Sequence, residues 1–173
     1  MSILDEIVAH KRTELAASPE EEITIASLQA KVAARGGVRD FTAALANPRA
    51  GDVGLIAEVK KASPSAGIIR PDFDPVKIAL EYESAGASCL SVLTDEKYFQ
   101  GSYEFLEYVR SQVEQPLICK DFFIDEYQVY LARLSGGDAI LLMLSVLDDE
   151  QYLALHKVAD SLNMSVLTEV SNE

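Results

Sequence analysis

Ile56-Ala57-Glu58-Val59-Lys60-Lys61-Ala62-Ser63-Pro64-Ser65 reads as a short apolar strand that closes on a carboxylate and an amine two residues apart. Side chains alternate along a strand, so Glu58 and Lys60 leave it on the same face. A Ser-Pro-Ser turn with Gly67 follows, a loop type that brings backbone N–H groups close to an anion. An acid and a base buried at a strand end cost free energy unless they are paired or used. A structural ion pair and a reactive pair are both consistent with this segment taken alone.

The same design recurs downstream. Leu117-Ile118-Cys119-Lys120-Asp121 is an apolar strand closing on a lysine, and Val166-Leu167-Thr168-Glu169 closes on a glutamate. Cys89-Leu90-Ser91-Val92-Leu93-Thr94-Asp95 and Ala139-Ile140-Leu141-Leu142-Met143 are strands of similar length. Strand ends therefore fall near Lys60, Asp95, Lys120, Met143 and Glu169, with helical sequence between them. The helices are expected at about 75–85, 102–113, 125–135 and 149–162. Strands alternating with helices in this way imply βαβ units and a parallel sheet. Ionisable groups at the C-terminal ends of such strands stand where α/β barrels and doubly wound sheets carry their chemistry.

Ahead of the first strand lies a helical leader. Ile3, Leu4, Ile7, Val8 and Leu15 recur at helical spacing over residues 2–17. Glu20-Glu21-Glu22 reads as a solvated helix start, and a second helix is expected from about Ser27 to Ala34, before Gly36-Gly37. Asp40 is placed to cap a short helix that ends before Asn47-Pro48. The organisation is one domain: a helical extension over residues 1–50 and a strand–helix body over 51–173.

Composition restricts the partners. Hydrophobic residues make up 49% of the chain, enough for one core, and no apolar run approaches the ~20 residues that span a bilayer. A formal charge of −13 argues against nucleic acid and anionic membranes. It leaves an anionic substrate open, since nearby lysines set the potential inside a cleft. Cys89 and Cys119 fall within apolar strands and read as reduced core thiols. His10 and His156 stand apart from any set at metal-ligand spacing, Lys97 reads as a loop charge, and no glycine-rich dinucleotide motif is present. No metal or cofactor is expected, and a cytoplasmic setting is.

Ala57-Glu58-Val59-Lys60-Lys61-Ala62-Ser63-Pro64-Ser65, Leu93-Thr94-Asp95-Glu96-Lys97-Tyr98-Phe99-Gln100-Gly101-Ser102, Ile118-Cys119-Lys120-Asp121-Phe122 and Leu167-Thr168-Glu169-Val170 together resemble the indole-3-glycerol phosphate synthase family. They occur in that family's order and spacing, and the N-terminal helix with Arg39-Asp40-Phe41 fits as well. The resemblance implies a TIM (β/α)8 barrel whose leader packs across the barrel mouth. A complete barrel takes roughly 250 residues and eight strands. Five are legible here, so an incomplete barrel of about five parallel strands is expected, the N-terminal portion of an enzyme or a truncated gene product.

The resemblance also implies a phosphorylated anthranilate substrate that is cyclised, decarboxylated and dehydrated in tryptophan biosynthesis. Lys120 then matches the catalytic acid, and Glu169 the carboxylate acting as base. Lys60 matches the catalytic group that holds the substrate's carboxylate and phosphate region and serves as a second acid, and Glu58 the catalytic partner that positions Lys60 and takes a proton during dehydration. Ser63 matches a phosphate contact, while Phe99, Phe122, Leu141 and Met143 match positions around the anthranilate ring. Ala66 departs from the lysine found there in many bacterial members, leaving this loop less cationic. A partial barrel that serves only folding or assembly is the alternative, with self-association through its open sheet edges. A phosphoribosyl isomerase is disfavoured, because it would not need two lysines so placed.

Overall fold

In the computed structural model, residues 2–17 and 24–171 are described. The acidic run Glu20-Glu21-Glu22 lies outside them. Three helices come first: α1 (Ile3–Ala17), α2 (Ile25–Ala33) and α3 (Phe41–Ala46). Strand β1 (Ile56–Val59) follows, then a hairpin of β2 (Ala62–Ser63) and β3 (Gly67–Ile68). The remainder alternates: α4 (Pro75–Ser84), β4 (Cys89–Leu93), α5 (Glu96–Phe99), α6 (Tyr103–Gln112), β5 (Leu117–Lys120), α7 (Glu126–Leu134), β6 (Ala139–Met143), α8 (Asp149–Ser161) and β7 (Ser165–Glu169).

The helix starts are chemically marked. Asp40 Oδ1 accepts from Ala43 N at 2.8 Å, and Asp74 Oδ1 accepts from Lys77 N at 3.0 Å ahead of a proline in the first turn of α4. Asp125 with Gln128, and Asp148 with Gln151, close reciprocal capping boxes on α7 and α8.

The main sheet has five parallel strands in the order β1-β4-β5-β6-β7, each neighbour following by a helical crossover. Its two faces bury two different cores. On the outer face Leu90, Val92, Leu117, Cys119, Ile140 and Leu142 pack beneath α4, α6, α7 and α8. On the inner face Cys89, Ile118, Ala139 and Leu141 close around Phe41 of α3, with Ile56 and Met143 at the margin. Strand β4 is buried at every position because both faces are covered, which explains an apolar reading broken only by Ser91. Edge strand β7 is exposed or half-buried throughout.

The leader thus serves both ends of the sheet. Helix α3 fills the inner face near the N-terminal ends of the strands, while α2 packs on α7 and α8 through Leu28 and Val32. Helix α1 reaches the C-terminal ends, where Lys11 meets Asp95 and Asp121.

Two local features depart from the sequence reading. Residues 62–68 form an antiparallel hairpin rather than an open loop, with Ser63 paired to Gly67. Strand β4 stops at Leu93, so Asp95 does not end it: its Oδ1 accepts from Tyr98 N at 2.8 Å and caps α5. Lys97 accordingly sits on this short helix, exposed, with its ammonium 5.1 Å from the Tyr98 ring centroid.

Candidate functional site at the strand ends

Pleating and register bring the site together. Glu58 lies on β1 one level below Lys60; β1 pairs with β4 through Val59 and Val92, and Leu93 of β4 pairs with Lys120 of β5. The two lysines therefore flank Leu93 at one level on the inner face. Glu58 reaches both: its Oε1 lies 2.5 Å from Lys60 Nζ and its Oε2 2.5 Å from Lys120 Nζ. Burial alone would push the Glu58 carboxyl up, but the hydrogen bonds from Lys120 and Lys60 outweigh it and hold it below the ordinary carboxylate range. One carboxylate thus fixes two ammonium groups, each still about a third exposed toward the mouth.

A cleft of about 660 Å³ opens beside them. Lys60, Ser63, Pro64, Ser65, Phe99 and Phe122 line it on one side, and Ile3, Leu4 and Ile7 of α1 on the other. The Phe99 and Phe122 rings stand 6.1 Å apart between centroids, inclined by 38°. Size and lining suit a flat aromatic body with anionic substituents. The Ser63 hydroxyl accepts from Ala66 N at 3.2 Å and lies 3.4 Å from the Ser65 hydroxyl, which orders the hairpin at the cleft edge.

Leu141, Met143 and Glu169, also singled out from the sequence, are not among the residues that line this cleft. Leu141, 6% exposed, belongs to the inner apolar cluster around Phe41, and Met143 packs on that cluster's margin. Glu169 ends β7 beside Met143, with an exposed side chain and no ion pair among the described residues. Cys89 faces the inner core and Cys119 the outer one, so the two thiols are on opposite sides of the sheet.

A second charged cluster escaped sequence reasoning. Lys11 Nζ lies 3.1 Å from Asp95 Oδ2, 3.1 Å from Asp121 Oδ1 and 2.9 Å from Glu14 Oε2. Burial works against the Lys11 charge, but these carboxylates outweigh it and keep the ammonium protonated. Asp121 also accepts from Thr94 Oγ1 at 2.9 Å and from Phe122 N at 2.8 Å. The Tyr98 hydroxyl adds a bond to the Glu6 carbonyl at 3.4 Å, and the His10 ring stands edge-on to Tyr98 at 5.9 Å. A signal was present: Lys11 falls on the stripe of Leu4, Ile7, Val8 and Leu15, where a lysine needs a buried partner.

Gly101 holds the loop close to the strand end. A Cβ there would come within 2.3 Å of the Leu93 carbonyl oxygen, so only glycine lets α5 and Phe99 lie this near the lysines.

Five parallel strands joined by helices, a helix packed on the inner face and ionisable groups at the C-terminal strand ends have the layout of part of an α/β barrel. Residues 4–173 match the family model described as indole-3-glycerol phosphate synthase. The chain belongs to that family. A protein so named from Prochlorococcus marinus (strain AS9601) is 50% identical over 171 residues, covering 99% of this chain and 57% of its own length. The tryptophan biosynthesis protein TrpCF of Salmonella typhi is 52% identical over 172 residues, 99% of this chain and 36% of that protein. The chain therefore spans little more than half of the first of these relatives. A dipeptide epimerase from Enterococcus faecalis V583, solved with Mg and a dipeptide, shares the fold at a TM-score of 0.51 and 16% identity, over 83% of this chain and 34% of its own.

Proposed function

We propose that this chain carries the acid–base half of an indole-3-glycerol phosphate synthase, a carbon–carbon lyase acting on 1-(2-carboxyphenylamino)-1-deoxyribulose 5-phosphate. The observation that carries the reading is Glu58 bridging Lys60 and Lys120 at the edge of an aromatic-lined cleft. The anthranilate ring lies against Phe99 and Phe122. Its carboxylate and the phosphate end are drawn to Lys60 and to the Ser63 hairpin.

The ring carbon bearing the carboxylate attacks the ketone carbon, and the ketone oxygen takes a proton from the Lys120 ammonium. The new bond leaves a cationic, non-aromatic ring, and loss of CO₂ returns its electron pair. The hydroxyl then departs as water with a proton from the lysine side, while Glu169 accepts the proton released as the indole forms. Glu58 holds both amino groups in place at the cleft edge. Leu141 and Met143 support the pocket floor through the inner core.

No described helix is long and apolar enough to cross a membrane, which suits a cytoplasmic biosynthetic enzyme. With no further strand covering them, β1 and β7, the outer strands of the described sheet, are edges through which this polypeptide self-associates.

The test is appearance of indole fluorescence with a chain extended to the length of the curated relatives. Turnover that disappears in Lys120→Ala and survives in Lys97→Ala is the expected result. Equal turnover in both variants would overturn the reading.

A further inference from the structure

At the opposite end of the sheet, four arginines from four segments converge. Arg35 follows α2, Arg39 precedes α3, and Arg110 and Arg133 lie in the last turns of α6 and α7. With Gly37, Gly136 and Asp138 they line a cavity of about 340 Å³. In a chain of net charge −13 this is an unusual concentration of positive charge.

Local partners do not neutralise it. Asp138 is the one carboxylate in the lining, and its oxygens are already engaged: Oδ1 accepts from Arg39 N at 2.8 Å, and Oδ2 from Leu117 N at 2.8 Å and Arg110 Nη2 at 2.9 Å. Three helix C-termini point into the region, each equivalent to about half a negative charge. Four guanidiniums against one carboxylate and three helix ends still leave an excess of more than one positive charge. Burial first, then the charges of Arg39, Arg35 and Arg133, push the Arg110 guanidinium down to about 10 against the pull of Asp138.

Unused donors remain. Arg39 spends Nη1 on the Val113 and Gln115 carbonyls, Arg110 spends Nη2 on Gln115 and Asp138, and Arg133 spends Nη2 on the Gly36 carbonyl. The Arg110 Nε–H is buried without an acceptor, and Arg35 makes no side-chain bond among the described residues. Gly136, at φ 102°, keeps the cavity open: a Cβ there would meet Arg110 Cγ at 2.6 Å and Arg35 Nη2 at 3.2 Å.

We infer that this cavity is a binding site for a phosphate-type oxyanion, held by Arg35, Arg39, Arg110 and Arg133. Guanidinium forks arriving from several segments match a tetrahedral group, whereas a carboxylate offers one plane. Bound there, the anion ties the α2–α3 connection to the ends of α6 and α7.

The experiment is a titration of the chain with inorganic phosphate at constant ionic strength, balanced with chloride and followed by backbone amide NMR. Amides of Gly37 and Gly136 should shift and saturate below about 10 mM, with a rise in thermal midpoint. Arg35 is exposed, so Arg35→Ala should fold normally and weaken binding about tenfold, and Arg35→Glu should abolish it. Saturation that survives unchanged in Arg35→Glu would overturn the site. Shifts reproduced by chloride, or confined to residues 63–67 at the other end of the sheet, would overturn it as well.

Discussion

Lys11 of α1 and Asp121 of the β5 loop meet at 3.1 Å, one residue beyond the lysine assigned the acid role. This contact joins the leader to the reacting end of the sheet. Three carboxylates share the one ammonium, so its loss leaves Asp95 and Asp121, both almost fully buried, without a cation.

Lys11→Met should therefore destabilise the chain by about 3–5 kcal/mol, the usual cost of stranding one side of a buried pair. Urea unfolding at neutral pH measures it. Adding Asp121→Asn should recover part of the loss, since the burial that pushes this carboxyl up then no longer opposes a charge. No recovery in the double variant would show that packing of the lysine stem dominates.

Glu58 has a carboxyl held below its ordinary value of 4.5, so its ion pairs stabilise the fold above that pH and are lost as pH falls through the lower folded-state value. The stability difference between the wild type and Glu58→Gln should be constant from pH 8 to about 6 and shrink below about 4.5. Denaturant titrations across that range check the sign. A difference that grows on acidification would contradict the bridge.

Phe122→Ala, assayed in a chain extended to the relatives' length, should raise KM more than it lowers kcat, because in the proposed reaction the ring orients the substrate without exchanging protons. Lys120→Ala should do the reverse and lower kcat by about 10²–10⁴. Steady-state kinetics on the two variants separate orientation from proton transfer.

Edge exposure predicts behaviour at high concentration. Among the described residues, β1 and β7 are unpaired on their outer sides. Light scattering should show association rising with concentration, reduced by a Leu167→Lys change on β7, where the side chain is exposed. A monomer at all concentrations would refute the edge mechanism.

Most of the barrel was legible because its signals are local. The five strands are short, largely apolar runs, each preceded within three residues by Gly, Pro, Asp or Asn, and the helices between them follow their caps. The 62–68 hairpin was missed because two-residue strands carry no periodicity, and α5 because four residues make barely one turn. Glu58 with Lys60 was readable from a two-residue spacing. The reach of Glu58 across to Lys120 was not, since it depends on the register of β1, β4 and β5. The Lys11 clamp joins residues more than eighty positions apart, a distance at which only the misplaced lysine on an apolar stripe gave notice.

The positions of the two cysteines make the chain its own reporter. Cys89 is sealed into the core around Phe41, and Cys119 into the core beneath the outer helices. Burial pushes both thiols up, Cys89 to about 12, so neither reacts while it stays enclosed. Alkylation rates at the two sulfurs then clock the opening of each core separately. Cys89 reports when α3 lets go of the sheet, and Cys119 when the outer helices do, with no label added to either.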